Sequence, residues 1–302
     1  MSNTNLSELL ASNYMLVDAT ISSWSGNATD RSASNEILTQ KNAAADGGKF
    51  IKKLLASADA ELKEVHTLGN AIRTYIYNRT VPWSSSAGSK RGERVLATVE
   101  AMNFLSGLAS LKKDRDNAVL KLQSVWNQRV AEAMQALGGL ANPDDYIAAS
   151  QIPGLFAVTV DLKPIPAITD FTRLNVPAEL AGALSSRYES MAEVRIKNAM
   201  DDMRQRLMDE LVRMEKQLAK HGAGEKTRLY DSLVTNLQAW VGMAKTMNLT
   251  GSTALDELIA KIELKLLTHP VAVLRDNTAL ATAVAADAKQ LAVEAAEEAI
   301  WS

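Results

Sequence analysis

The chain has 302 residues, 47% of them apolar and 23% charged, a composition that predicts a packed core and excludes wholesale disorder. Its formal net charge of −2 indicates no overall attraction to nucleic acid or to an anionic membrane. Cysteine is absent, which excludes disulfides, thiolate nucleophiles and thiolate-ligated metals. This fits a reducing compartment, and the first residues lack a basic region followed by an apolar core, so we expect a protein of the cytoplasm.

The first quarter of the chain predicts one strand and two helices. Residues 15–24 alternate apolar and polar side chains, as a half-buried strand does. Residues 34–46 predict a short helix that ends at the pair Gly47-Gly48. Residues 50–79 carry an apolar stripe at helical spacing and predict a second, longer helix.

The middle of the chain predicts a long helix and a second strand. Residues 93–137 repeat the helical stripe and end at another glycine pair. Residues 155–162 alternate again and predict a strand that could pair with residues 15–24. Prolines at 164, 166 and 177 keep the next segment extended.

Residues 178–221 contain the longest stripe, in which apolar side chains recur at steps of three and four residues. A helix of about 40 residues extends roughly 60 Å. The stripe residues are Leu180, Leu184, Tyr188, Met191, Val194, Met203, Leu207, Leu211, Met214 and Leu218. Such a surface needs a partner, either from the same chain or from a second copy.

The C-terminal third predicts three more helices, over residues 226–247, 253–267 and 271–300. Together these patterns predict a mainly α fold: an elongated, coiled-coil-like bundle of antiparallel helices with a two-stranded β-ribbon. We expect two domains, residues 1–224 with the bundle and ribbon and residues 225–302 as a helical subdomain. The helices over 50–79, 93–137 and 178–221 are predicted to cover one another.

The loop that begins at Trp83 is a candidate site for nucleic acid or for a protein partner. It combines Trp83 with Lys90, Arg91 and Arg94. Base stacking together with phosphate contacts is how many proteins hold single strands. The alternative is structural: Trp83 packs against the bundle, and the basic side chains form a solvated turn.

No motif indicates catalysis. The phosphate-binding, dinucleotide-binding and serine-nucleophile patterns are absent, and the three histidines lie far apart in the sequence. We therefore expect no enzyme activity, no metal and no cofactor. Trp301, next to the last residue, is a candidate contact for a partner because terminal tryptophans often lie exposed.

Three segments resemble an uncharacterised family found in bacteriophages and mobile elements. They are ISSWSG at residues 21–26, residues 80–94 with their TVPW start, and QIPGLFAVTVDLKPIP followed by DF at residues 151–171. Members are often encoded near a MoxR-type AAA+ ATPase and a von Willebrand A-domain protein. The resemblance therefore implies an accessory role in an ATPase-driven remodelling system, and it supplies no catalytic residues.

The leading hypothesis is a non-enzymatic phage or mobile-element protein that works through protein–protein contact, as an oligomer or beside an AAA+ ATPase, in the host cytoplasm. The first alternative is a single-stranded nucleic-acid-binding protein of phage replication or recombination. The second is a helical membrane-active protein, which the short, polar β-like segments and the lack of 18 consecutive apolar residues disfavour.

Overall fold

The computed structural model describes residues 6–55, 59–84, 92–167, 170 and 176–301. The chain is 68% helical and 10% strand, which confirms the mainly α class. The helices are α1 (Leu6–Asn13), α2 (Arg31–Gln40), α3 (Ala60–Arg79), α4 (Ala101–Leu137), α5 (Ile152–Leu155), α6 (Ala178–Gly222), α7 (Ser232–Ala244), α8 (Thr253–Leu266), α9 (Val271–Asp276) and α10 (Thr278–Ala295). The strands are β1 (Tyr14–Ile21), β2 (Asn27–Asp30), β3 (Phe50–Lys53), β4 (Val81–Pro82), β5 (Arg94–Ala97) and β6 (Val158–Pro164).

Two predicted helices begin as strands instead. Strand β3 occupies the start of the stripe predicted over 50–79, and β5 occupies the start of the one predicted over 93–137. All of β5 is buried. A short apolar run that is buried on both faces shows no alternation, so its sequence cannot be told from part of a helix.

The predicted ribbon is part of a larger sheet. Strands β1 and β6, which correspond to the two β-like segments, are neighbours in a four-stranded sheet of order β4-β5-β1-β6. Strand β5 runs antiparallel to β1, with Tyr14 opposite Ala97, and antiparallel to β4, with Val81 opposite Val95. Strands β2 and β3 form a separate antiparallel pair.

The chain divides into two compact units, and the division differs from the predicted domains. Unit 1 comprises Met1–Ala19, Tyr75–Leu105 and Val160–Ser302, whereas unit 2 comprises Thr20–Thr74 and Ser106–Thr159. The C-terminal helices belong to unit 1. Helices α7 and α10 both pack on α6, and α8 packs on α7 and α10. The boundary predicted at residue 224 thus lies within unit 1.

The core of unit 1 follows the second half of α6. Five stripe residues there have no exposed surface: Met203, Leu207, Leu211, Met214 and Leu218. Their cover includes α7 and α10, so the expected three-helix bundle is not confirmed as the partner of this stripe. At the end of α6 a Cβ on Gly222 would collide with Thr282 of α10, so glycine permits this close approach.

The helix predicted over 271–300 is interrupted at Asn277. Helix α9 ends before this residue. Oδ1 of Asn277 accepts a hydrogen bond from the Leu280 N–H at 3.0 Å. Asparagine is among the best N-cap residues. This local cap starts a new helix, α10, and a short turn follows it at Glu298–Ile300.

In unit 2, α3 packs on α4 as the stripes predict. Leu62 and Val65 of α3 share a core with Leu122 and Trp126 of α4. Ion pairs show that the two helices run in opposite directions. Glu61 pairs with Arg129 at 3.0 Å, and the later Glu64 pairs with the earlier Lys121 at 3.0 Å.

Two of the resembling segments meet at Arg115, which is 1% exposed. Its guanidinium donates to the Phe156 carbonyl at 2.7 Å and to the Ser22 carbonyl at 2.6 Å. Burial lowers the pKa of Arg115, and the nearby Arg73 lowers it further. These segments therefore have a structural role in unit 2, as the two carbonyl acceptors of a buried arginine.

Candidate functional site

The ends of the Trp83–Arg94 loop are held together by the sheet. Pro82 of β4 lies opposite Arg94 of β5, and the Trp83 N–H donates to the Glu93 carbonyl at 2.9 Å. Lys90 and Arg91 lie outside the described residues. Of the four candidate residues, the structure therefore describes two, Trp83 and Arg94, which lie at the base of the loop.

Trp83 is a core residue. Its side chain is 1% exposed and belongs to the apolar core of unit 1. The Arg195 guanidinium of α6 lies 5.1 Å from its ring centroid, at cation–π distance. A base cannot stack on a ring that is already covered, so the packing alternative is the one the structure shows for this residue.

Arg94 is also buried, with 3% of its surface exposed. Its Nε–H donates to Thr80 Oγ1 at 2.6 Å, and Nη2 donates to the Thr80 carbonyl at 2.9 Å. The expectation of a solvated arginine at this position is therefore wrong. The reason is that β5 lies between β4 and β1, which places the first residue of the strand inside the sheet.

Arg94 belongs to a buried charged cluster that we call the Tyr77 cluster: Tyr77, Arg94, Asp202 and Arg206. The Arg206 guanidinium lies 3.6 Å from the Tyr77 ring centroid and that of Arg94 lies 5.0 Å from it. Arg206 forms an ion pair with Asp202, one turn earlier on α6, and donates to the Tyr77 carbonyl at 2.7 Å.

Two guanidinium groups in this cluster face one carboxylate. Burial, together with the neighbouring Arg206, lowers the pKa of Arg94 to about 10. Burial also raises the pKa of Tyr77, whose phenol stays neutral near pH 7. The arrangement attaches α6 to the end of α3 and to β5, which is a structural role for Arg94.

Trp301 is buried rather than exposed, with 5% of its surface accessible. Its indole N–H donates to the Ala295 carbonyl at 2.9 Å. The ring packs edge-on against Trp240, with centroids 6.4 Å apart. This tryptophan fixes the C-terminal turn on the core, and whether it contacts a partner stays a prediction.

Trp301 nevertheless lines an open groove in unit 1 of about 510 Å³. Part of the lining is a single face of α6, from Glu193 to Arg204. The rest comes from Leu249 and Thr250, in the turn between α7 and α8, and from Glu298 and Trp301. Sequence reasoning missed this groove because three segments distant in the chain build it.

A second surface of α6 is a line that we call the α6 seam: four apolar residues, Leu180, Leu184, Met191 and Val194, with Arg187 at the middle position. These positions alternate steps of four and three residues, which is the spacing of a coiled-coil seam. Leu180 is 47% exposed, Met191 39% and Val194 59%. The buried line of the same half passes instead through Tyr188, Ala192 and Ile196, on another side of the helix.

Within the described part of the chain, no three histidine, aspartate or glutamate side chains converge in a way that could hold a metal ion. Searched over the same residues, the helices include none that is both long and apolar enough to cross a bilayer.

Comparison with known proteins adds no relative: no family model, no curated protein and no solved structure matches the chain.

Proposed function

We propose that the chain acts without catalysis, through protein–protein contact, and that its copies associate through the α6 seam. The exposure of the seam carries the proposal. Leu180, Met191 and Val194 are each more than one third exposed, and all three lie at seam positions. Exposed apolar patches mark interaction sites in soluble proteins.

The seam favours a second copy of the same helix. Apolar side chains at alternating steps of four and three residues allow two helices to interlock knobs into holes. Arg187 interrupts the line, and a polar residue in such a seam specifies register at the expense of stability. A seam of about two heptads is short, so we expect association that depends on protein concentration.

The test is the oligomeric state of the chain over a concentration series, measured by sedimentation equilibrium. The wild-type chain should shift from monomer to dimer or higher oligomer as concentration rises. A double variant, Met191→Asp with Val194→Asp, places two carboxylates in the seam and should stay monomeric. Its far-ultraviolet circular dichroism and unfolding midpoint should match the wild type, because both side chains are already exposed.

Leu264→Asp is the matched control. Leu264 is 72% exposed on α8, away from α6, so its substitution should leave association unchanged. A wild-type chain that stays monomeric throughout the series would overturn the proposal. So would a seam variant that associates as the wild type does.

A place beside an AAA+ ATPase, and an origin in a phage or mobile element, follow from the sequence resemblance and remain part of this proposal. Capture of a MoxR-type ATPase on the immobilised chain would support that role, and loss of the capture in the seam variant would assign it to α6.

The nucleic-acid alternative now depends on Lys90 and Arg91, since Trp83 and Arg94 are buried. Salt-dependent binding of single strands that Lys90→Ala with Arg91→Ala weakens would favour it.

A further inference from the structure

The groove beside Trp301 has the dimensions of a small-molecule site. Its volume of about 510 Å³ falls within the range of roughly 300–1,000 Å³ typical of ligand pockets. It lies within unit 1 and on a different side of α6 from the seam, because its floor is Ile196 and Met200. The groove is therefore a surface distinct from the one proposed for association.

The floor of the groove is apolar and firmly packed. Ile196, Met200, Leu249 and Trp301 are 6%, 1%, 1% and 5% exposed. The hydrogen bond from the Trp301 indole to Ala295 and its contact with Trp240 hold the ring in place. Such a floor suits an alkyl or aryl group, because burying apolar surface away from water stabilises a complex.

The rim of the groove carries more negative than positive charge. Asp201 and Arg204 form an ion pair with each other at 3.2 Å. The other charged lining residues are two acidic ones, Glu193 and Glu298, and one basic one, Lys197. Among the described residues these three side chains form no ion pair, so the rim keeps one excess negative charge.

We propose that this groove binds a small amphipathic cation: an organic ammonium with an alkyl or aryl body. The apolar body lies on the floor formed by Ile196, Met200, Leu249 and Trp301. The ammonium group lies at the rim near Glu193 and Glu298, where the low-dielectric wall strengthens its attraction to the carboxylates. The two charged residues of the Asp201–Arg204 pair neutralise each other and do not select the head group.

Three probes with the same body and different head groups test the charge preference: n-octylammonium, 1-octanol and octanoate. Binding is measured by isothermal titration calorimetry at concentrations below their self-association. Octylammonium should bind with one site per chain, octanol more weakly, and octanoate most weakly. Equal or tighter binding of octanoate, or no binding of octylammonium, would overturn the proposal.

Substitutions locate the binding. Glu193→Gln with Glu298→Gln should weaken octylammonium binding by up to about fivefold and leave octanol unchanged, since an exposed ion pair contributes at most about 1 kcal/mol. Thr250→Phe should block all three probes, because Thr250 is exposed at the rim and a larger side chain fills the groove.

Matched controls are Glu225→Gln and Thr235→Phe, which make the same changes at exposed positions outside the groove. Both should bind as the wild type does, and all variants should keep its thermal midpoint. If Thr250→Phe fails to fold, the glutamine pair still decides, because both glutamates are exposed. The monomeric seam variant should bind octylammonium normally, so failure of this inference is distinguishable from failure of the proposed association.

Discussion

The two halves of α6 carry similar apolar patterns in different surroundings. From Met203 to Leu218 the stripe is fully buried in a core shared with α7 and α10. From Leu180 to Val194 only Tyr188 of the stripe is buried, whereas Leu180, Met191 and Val194 are each more than one third exposed. The inward-facing line of this half runs from Tyr188 through Ala192 and Ile196. A periodic stripe therefore predicts where a helix is apolar, whereas the elements placed beside it decide whether that surface is covered.

Two adjacent charged residues of α6 also differ in burial. Asp202 is 1% exposed and pairs with Arg206, whereas the side chain of its neighbour Asp201 is 35% exposed and pairs with Arg204. Adjacent aspartates on one helix thus differ in burial, because one faces the sheet and the other the solvent.

The largest expected effect is that of Asp202→Ala. Removing the carboxylate leaves the Arg206 guanidinium buried without its ion-pair partner, and the free energy of unfolding should fall by about 3–5 kcal/mol. Urea unfolding at fixed protein concentration measures it. Asp201→Ala should lower stability by no more than about 1 kcal/mol. Equal losses would contradict the assignment of Asp202 to a buried cluster.

Leu211→Ala should be nearly as damaging, because it opens a cavity in the core of unit 1. A fully buried leucine replaced by alanine lowers stability by about 2–5 kcal/mol. Leu180→Ala, at a 47% exposed position of the same helix, should stay within about 0.5 kcal/mol of the wild type. A large loss for Leu180→Ala would show that the first half is covered within the chain.

Arg187→Leu should strengthen self-association, because it completes the apolar seam. Burial of one leucine side chain contributes about 1.5–3 kcal/mol, which corresponds to a roughly ten- to hundredfold lower dissociation constant. Sedimentation equilibrium measures this constant. Lys216→Leu, at an exposed position in the second half of α6, is the control and should have no such effect. Unchanged affinity for Arg187→Leu would place the contact elsewhere.

The smallest effect is expected for Glu210→Gln. Glu210 pairs with Arg213 on the surface of the second half, where their side chains are 21% and 40% exposed. An exposed pair of this spacing contributes at most about 1 kcal/mol. Chemical unfolding should detect little change in the free energy of unfolding. That result would show that the loss of stability depends on how deeply the substituted residue is buried and not on which half of α6 it occupies. A loss as large as that of Asp202→Ala would contradict this.

Local patterns predicted several elements well. Helix α6 was expected over residues 178–221 and spans Ala178–Gly222. Helix α8 was expected from residue 253, and Ser252 caps it by accepting a hydrogen bond from the Leu255 N–H at 3.4 Å. Strands β1 and β6 were expected from their alternation and pair as neighbours. In each case the information lies within a few adjacent residues.

The candidate site was predicted less well. Trp83 and Arg94 have the composition of a binding loop, but strand pairing places both in the interior. Trp301 was expected to be exposed near the chain end, and Trp240 covers it. Composition describes what a side chain can do, and exposure depends on residues far away in the sequence.

By itself the sequence determined the mainly helical class, the extent of α6 and the apolar line along it, because periodicity and capping act over a few residues. Only the tertiary structure decided which part of that line is buried, that β5 is a strand, and that Glu193, Leu249 and Trp301 line one groove. The physical reason is that burial is a property of distant segments brought together, and no local pattern records which segments those are.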